Sequence, residues 1–147
     1  GDAEFFGSTG AMVLNKPIVG MASTPTGKGY WLVATDGGIF SFGDAEFFGS
    51  TGAMVLNKPI TGMASTPSGK GYWLVASDGG LFTFGDAGWY GSAPDRNFTA
   101  AFTGMRPTST GRGYWLVDGG GAVLAFGDAT PWGSATTLSG AVVGLAW

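Results

Sequence analysis

GYWLVATDGGIFSF, residues 29–42, is an apolar run, a glycine-rich turn and a second apolar run, which is the pattern of a β-hairpin. A second copy occupies residues 71–84, where only three positions change. A looser third copy occupies residues 113–126. A Gly-Asp-Ala turn follows each copy. The chain is therefore predicted to be built from repeated hairpins.

The repeat is longer than the hairpin. Residues 1–42 and 43–84 are the same 42-residue unit and differ at five positions, residues 85–126 form a more divergent third unit, and residues 127–147 supply about half of a fourth. A period near 40 residues with about four strands is typical of propeller blades. We therefore expect a single all-β repeat domain of β-propeller type with about 3.5 four-stranded blades. Such an array is completed by oligomerisation or belongs to a longer one.

Four strands are predicted in each unit. In the best-defined frame they are Ile18–Thr24, Gly29–Thr35, Ile39–Phe42 and Ala45–Gly49. The small residues of the first strand suit a crowded propeller axis, and the second strand is apolar on both faces, which predicts cover on both sides. When the strands of each unit are numbered one to four in chain order, the chain opens on a lone fourth strand, residues 3–7, and ends on a lone first strand, residues 142–147. That arrangement predicts the C-terminal piece of a longer array.

Composition excludes several function classes. The chain has 29 Gly, 11 Phe, 6 Trp and 4 Tyr, a net charge of −3, and neither His nor Cys. Scattered cations without a basic patch disfavour nucleic-acid binding, and no apolar run approaches the roughly 20 residues of a membrane helix. Lack of His and Cys removes Ser/His and Cys/His nucleophiles and the usual zinc ligands. We expect no enzyme, cofactor or metal; hydrolysis by two carboxylates is the remaining catalytic alternative.

Most acidic residues fall in repeated turns. Asp36 and Asp78 precede Gly-Gly pairs, where a carboxylate that accepts a backbone hydrogen bond explains the residue choice. A calcium loop needs six to eight oxygens, and each of these turns offers one carboxylate. Strand direction also places Asp44 on the same rim as Lys28. This position predicts a solvated ion pair in each blade, or alternatively a belt that contacts an anionic polymer.

The aromatic residues provide the best functional lead. Trp31, Trp73 and Trp115 are predicted to wedge between blades, whereas the aromatics of the fourth strand lie at the rim. Flat rings beside amide and carboxylate groups are what sugar recognition requires. We expect the loops before the first strands to bring asparagines beside a turn aspartate such as Asp78. The candidate ligand-binding residues are Asn15, Asp36, Asn57, Asp78, Trp89, Tyr90 and Trp132.

The sequence GYWLVASDGG at residues 71–80, followed by FTFGDA at 82–87 and YGS at 90–92, resembles a repeat of secreted and cell-surface proteins of actinobacteria and related bacteria. Such repeats are often attached to peptidoglycan hydrolases, esterases or proteases and are thought to form propeller-like binding modules. The resemblance implies a secreted or cell-surface location. The third unit departs from the pattern at residues 95–97 and 118–121.

Together these observations favour a non-catalytic extracellular binding module that recognises a repeating glycan or cell-wall polymer. Weak identical sites at fixed spacing would bind a polymer by avidity. The alternative is a structural, self-assembling scaffold without a small-molecule ligand, whose strand edges pair with other copies. Near-identical neighbouring units can exchange partners between chains, so self-association is expected in either case.

Overall fold

The computed structural model describes residues 16–93 and 100–131, and in this part the chain forms three antiparallel sheets of three strands each. Within each sheet the strands lie side by side in chain order. We call the sheets blades 1, 2 and 3. Their strands are β1 (Ile18–Ser23), β2 (Gly29–Ala34) and β3 (Ile39–Gly43); β4 (Ile60–Ser65), β5 (Gly71–Ala76) and β6 (Leu81–Gly85); and β7 (Phe102–Pro107), β8 (Gly113–Asp118) and β9 (Val123–Gly127).

The first three predicted strands of each unit are confirmed to within one residue at either end. The hairpin turns also lie where glycine predicted them, because Ala34 N–H donates to Gly38 O at 2.9 Å and closes the turn between β2 and β3. The lone strands predicted at residues 3–7 and 142–147 lie outside the described residues. All-β architecture therefore follows from the hairpin repeat.

The predicted fourth strand, Ala45–Gly49, is wrong, because this segment adds no strand to blade 1. Its backbone groups bond to side chains instead. Glu46 O accepts a hydrogen bond from the Trp31 indole at 2.6 Å, and Tyr72 of the next blade binds the backbone at Phe48 and Gly49. Since these groups are already satisfied, they do not form a ladder with β3. Each blade is three-stranded in the described part of the chain.

The innermost strands β1, β4 and β7 pack next to one another. Small residues make this possible: a Cβ added at Gly20 would lie 3.4 Å from the Gly62 Cα of the neighbouring blade. Backbone hydrogen bonds also join the blades, with Ile60 N–H donating to Thr35 O at 2.8 Å and Phe102 N–H to Ser77 O at 2.9 Å. The prediction that small residues line the crowded inner side is confirmed.

The hydrophobic core lies between blades. Trp31 of blade 1 packs edge-on against Tyr72 of blade 2, with ring centroids 5.5 Å apart, and Trp73 packs against Tyr114 of blade 3 at 5.8 Å. All four rings are fully buried. Burial of such large rings is the main source of stability at each junction. The predicted wedge role is therefore confirmed for Trp31 and Trp73, each with a tyrosine of the next blade as its partner. The segment that would follow Trp115 as a next blade lies outside the described residues.

Candidate functional site

Two rings project outward from equivalent positions of successive units. Phe47 and Trp89 each keep 60% of their surface exposed. They belong to the segments that follow β3 and β6, residues 44–49 and 86–91, which we call the outer segments. The adjacent rings pack against tyrosines of the next blade, Phe48 on Tyr72 at 5.8 Å and Tyr90 on Tyr114 at 5.9 Å, although Tyr90 keeps 38% of its surface exposed. Each outer segment therefore presents one exposed ring beside one packed ring.

The backbone on the N-terminal side of each exposed ring is held by a tryptophan of the same blade. Trp31 Nε1–H donates to Glu46 O at 2.6 Å, and Trp73 Nε1–H donates to Gly88 O at 2.7 Å. The indoles are buried in the blade junctions. A rigid core residue therefore fixes the carbonyl that directly precedes each exposed ring.

The backbone on the C-terminal side is held by a tyrosine of the next blade. Tyr72 Oη donates to Gly49 O at 2.6 Å and accepts from Phe48 N–H at 2.9 Å. Burial raises the pKa of the Tyr72 hydroxyl, and the two backbone hydrogen bonds partly oppose this effect. The hydroxyl therefore stays protonated and able to donate at neutral pH.

Blade 3 repeats this arrangement around Trp89. Tyr114 Oη donates to Gly91 O at 2.6 Å and accepts from Tyr90 N–H at 2.8 Å. Burial also raises the pKa of Tyr114. Each exposed ring therefore lies between two anchors that come from different blades.

A separate pocket of about 280 Å³ lies beside the turn between β2 and β3. It brings together Asp36 and Asn57, two of the predicted ligand-binding residues, with Lys16 and Lys58. Asn57 and Lys58 are exposed. The described lining does not include Trp89 or Tyr90. The predicted polar and aromatic residues thus form two surfaces rather than one site.

In this pocket Asn57 and Lys58 meet the turn of the unit that precedes their loop, at Asp36, whereas the sequence suggested the next unit's turn, at Asp78. The loop that would complete an equivalent pocket at Asp78 includes residues 94–99, which lie outside the described residues. The predicted residues Asn15 and Trp132 also lie outside them.

The turn aspartates bind their own backbone, as predicted. Asp36 Oδ1 accepts from Gly38 N–H at 2.9 Å, and Asp78 Oδ1 accepts from Gly80 N–H at 2.9 Å. In the third unit Asp118 stands two positions earlier in the repeat, yet its carboxylate still binds Gly120 N–H at 2.9 Å. The same turn is therefore stabilised by an acid at either position.

A second set of aspartates forms hydroxyl clusters, which sequence reasoning missed. Asp44 accepts from Thr24 Oγ1 at 2.7 Å and from Thr26 Oγ1, while its amide donates to Lys28 O at 3.1 Å. Hydrogen bonds from Thr26 and then Thr24 lower the pKa of Asp44, and the Lys28 charge contributes least. Lys28 does share the rim, as predicted, but hydroxyl groups rather than an ion pair hold the carboxylate.

The cluster recurs in the other blades. Asp86 accepts from Thr66 at 2.7 Å, and Asp128 accepts from Thr108 at 2.7 Å, each with a second hydroxyl two residues further along. Hydrogen bonds from Thr110 and Thr108 lower the pKa of Asp128. The sequence contains the signal: a threonine lies 20 residues before each of these aspartates, and a second threonine or a serine lies 18 residues before it. Only the fold brings these positions together.

The part of the chain that the structure describes holds neither a cluster of metal-binding side chains nor a membrane-spanning helix. No group of three or more Asp or Glu side chains converges there in a way that could hold a metal ion. Across residues 16–93 and 100–131, no helix has the length and apolar character needed to cross a bilayer.

Comparison with known proteins bears on the fold. No protein-family profile and no curated protein sequence matches the chain. Among solved structures, it is similar to the β-propeller domain of Cps50 (Swd1) from Myceliophteria thermophila, with a TM-score of 0.54 and 10% sequence identity. The match covers 77% of this chain and 39% of that one. At this identity the likeness shows the fold alone: the chain has a β-propeller-type architecture.

Proposed function

We propose that this chain is a non-catalytic module, extracellular in origin, that binds a repeating glycan such as a cell-wall polymer. The observation that carries the proposal is the pair of exposed rings, Phe47 and Trp89, each 60% exposed at equivalent positions of neighbouring units. An exposed aromatic ring stacks on the apolar face of a sugar. Equivalent rings in successive units suit a ligand that itself repeats.

The anchors of the outer segments support this proposal. Indole and phenol groups from two blades hold the backbone on both sides of each ring. Binding to a preordered ring loses less conformational entropy than binding to a mobile one. The arrangement therefore favours recognition over a purely structural reason for exposing a large apolar surface.

Polymer binding would draw on more than one ring. A single stacked sugar gives weak binding, whereas two sites on one rigid scaffold raise the effective concentration of the second contact. We expect affinity to rise with the number of sugar units until one oligosaccharide reaches from Phe47 to Trp89. The polar pocket at Asp36 and Asn57 lies elsewhere and would bind hydroxyl groups independently.

The test is a titration of the full chain with soluble cell-wall glycan oligomers of increasing length. Binding is followed by calorimetry and by the NMR signal of the Trp89 indole N–H. Trp89→Ala is expected to weaken binding about tenfold, equivalent to about 1.4 kcal/mol. Phe47→Ala should weaken binding of long oligomers more than that of short ones.

Val55→Ala is the matched control, because Val55 is a fully exposed apolar side chain without a ring. It should leave affinity unchanged. Equal affinity of Trp89→Ala and the unaltered chain would refute the proposed role of the ring. Absence of binding by every oligomer would refute the glycan proposal itself.

A second candidate function, a self-assembling scaffold, is favoured by one difference between blades. Met21 on β1 is 58% exposed, whereas Met63 at the same position of β4 is 8% exposed. Residues 29–34 and 71–76 have the same sequence, and in blade 2 this face is covered by blade 1. We propose that a second copy of the chain covers the corresponding face of blade 1.

Light scattering over a range of concentrations tests this scaffold function. A discrete oligomer that Met21→Ser dissociates, while Val55→Ser does not, would support it. A monomer at all concentrations, or an oligomer indifferent to Met21→Ser, would contradict it. Neither result depends on glycan, so the two candidate functions are separable.

A further inference from the structure

The pocket beside the turn between β2 and β3, which we call the polar pocket, is built by two successive units. Lys16 and Lys58 occupy equivalent positions, each directly before the proline that leads into an innermost strand. Both lysines line this one pocket, together with Asp36 and Asn57. The fold thus gathers at one turn two cations that are 42 residues apart in the sequence.

Backbone hydrogen bonds at Thr35 fix the positions at which the two lysines are attached. Thr35 N–H donates to Pro17 O at 3.0 Å, and Ile60 N–H donates to Thr35 O at 2.8 Å. One residue of the turn therefore holds both Lys-Pro segments. The hydroxyl of the buried Thr51 donates to Asp36 O at 2.9 Å and fixes the turn itself.

This backbone arrangement does not require lysine. The same pair of hydrogen bonds recurs one unit later, where Ser77 N–H donates to Pro59 O and Phe102 N–H donates to Ser77 O, both at 2.9 Å. There Ala100 takes the position of Lys58, two residues before the innermost strand. Both lysine side chains of the polar pocket are exposed. Packing therefore does not account for them, and their convergence on one pocket is left to explain.

The pocket also contains a carboxylate, so its ligand has to satisfy both signs of charge. Asp36 Oδ1 accepts a hydrogen bond from Gly38 N–H at 2.9 Å, and Oδ2 can still accept from a ligand. Asn57 is exposed and offers both a donor and an acceptor. Two ammonium groups against one carboxylate give the described lining an excess of one positive charge. A simple anion would contact the lysines but would leave Asp36 and Asn57 without a ligand group.

We propose that the polar pocket binds a carboxylate-bearing sugar, that is, a uronic acid unit. The sugar carboxylate contacts the ammonium groups of Lys16 and Lys58, and ring hydroxyls contact Asp36 and Asn57. Leu56, which packs against the core, meets the apolar CH groups of the ring. A volume of about 280 Å³ suits one sugar unit. The inference rests on the proposed glycan function and specifies an acidic unit in that polymer.

The experiment titrates the full chain with three probes: glucuronate, glucose and acetate. Backbone amide NMR shifts of Asp36, Asn57 and Lys58 locate the site and give the dissociation constant. Glucuronate should bind, whereas glucose lacks the carboxylate and acetate lacks the hydroxyl groups, so each should bind at least about tenfold more weakly. Raising the salt concentration should weaken glucuronate binding, because salt screens the attraction between the charges.

Variants then assign the contact. Lys58→Ala should weaken glucuronate binding about tenfold, because the lining then has one ammonium group against one carboxylate. Lys58→Arg should keep part of the affinity, since it keeps the charge. Lys70→Ala is the matched control: Lys70 is also exposed, but it lies in the turn between β4 and β5 and does not line the pocket. It should leave the affinity unchanged. Circular dichroism of each variant confirms that the blades are intact.

Several outcomes would overturn the proposal. They are binding of glucose or acetate as tight as that of glucuronate, an unchanged affinity in Lys58→Ala, and an equal loss in Lys70→Ala. Failure of glucuronate to shift the three amides at about 10 mM, tenfold above a millimolar dissociation constant, would also overturn it.

Neutral glycan oligomers separate this inference from the proposed function. Binding of neutral oligomers at Trp89 without glucuronate binding at the polar pocket would refute the acidic unit alone. Glucuronate binding at the pocket without any effect of Trp89→Ala on oligomer binding would refute recognition by the exposed rings and leave the pocket assignment standing.

Discussion

Removal of one hydroxyl group tests how the blades and outer segments are joined. Tyr72→Phe keeps the ring, and with it the contacts to Trp31 at 5.5 Å and Phe84 at 5.6 Å. It removes the oxygen that donates to Gly49 O and accepts from Phe48 N–H. The substitution therefore isolates hydrogen bonding from packing.

The expected loss follows from the two bonds. Each intramolecular hydrogen bond contributes about 1 kcal/mol net, and a partner left buried without a replacement costs more. Tyr72 is fully buried, although the outer segment can admit water once released. We therefore expect the free energy of unfolding to fall by about 2 kcal/mol.

Urea unfolding followed by circular dichroism measures this change, and amide hydrogen exchange shows where it arises. The Phe48 amide should exchange faster in Tyr72→Phe, because its acceptor is gone. The Tyr90 amide, which is held by Tyr114 in the next blade at 2.8 Å, should keep its rate. Tyr114→Phe should give the reverse pattern and a similar loss of stability.

The reasoning would be refuted by a loss below about 0.5 kcal/mol together with an unchanged exchange rate at Phe48. Such a result would mean that the outer segment is held by packing rather than by the tyrosine. A large loss with equal acceleration at Phe48 and Tyr90 would instead indicate global unfolding without a local anchor.

Three further predictions concern the hydroxyl cluster at Asp44, the glycine turn at Gly43, and the buried Met63 compared with the exposed Met21. Hydrogen bonds from hydroxyl groups lower the pKa of Asp44 below its ordinary value of 3.8. The carboxylate therefore contributes fully to stability above that pH, and the contribution is lost as the pH falls through the lowered pKa of the folded state. Asp44→Asn should flatten this acidic part of the plot of urea unfolding midpoint against pH. Gly43→Ala should lower the free energy of unfolding by about 2 kcal/mol more than Gly27→Ala does. Both residues have positive φ, but only at Gly43 would an added Cβ meet backbone, 2.1 Å from the carbonyl oxygen of Lys28. Chemical denaturation of both variants measures the difference. In the dilute monomer, Met63→Ala should lower the thermal midpoint as expected for a loss of about 3 kcal/mol, whereas Met21→Ala should scarcely move it, since its side chain is exposed.

Much of the fold could be predicted from the sequence. The repeat length, the glycine turns and the apolar runs indicated three hairpin strands per unit at nearly their observed bounds. The error at residues 45–49 has a definite cause. A short aromatic run has the composition of a strand, but composition does not reveal that Trp31 and Tyr72 occupy its backbone groups.

The candidate surfaces were less predictable than the strands. The larger exposure of Trp89 and the contact of Tyr90 with Tyr114 depend on which of two adjacent rings meets the next blade. Likewise, nothing local to Arg106 indicates that Ser23 and Ser65 of other blades line one pocket with it. Proximity between units is a property of blade packing, so it does not appear in the pattern of any single unit.

The sequence by itself determined the strand pattern, the turn positions and the equivalence of the units, because glycine, β-branched and aromatic preferences act locally and repeat with the chain. Only the tertiary structure decided which rings are buried, which carboxylates are bound by hydroxyls and which side chains of different blades lie next to one another. Those outcomes depend on contacts between residues 15 to 41 positions apart, such as Trp31 with Glu46 and Thr61 with Phe102. The contacts within a blade form only once its strands have paired, and those between blades form only when neighbouring blades pack face to face and exclude water from the junction.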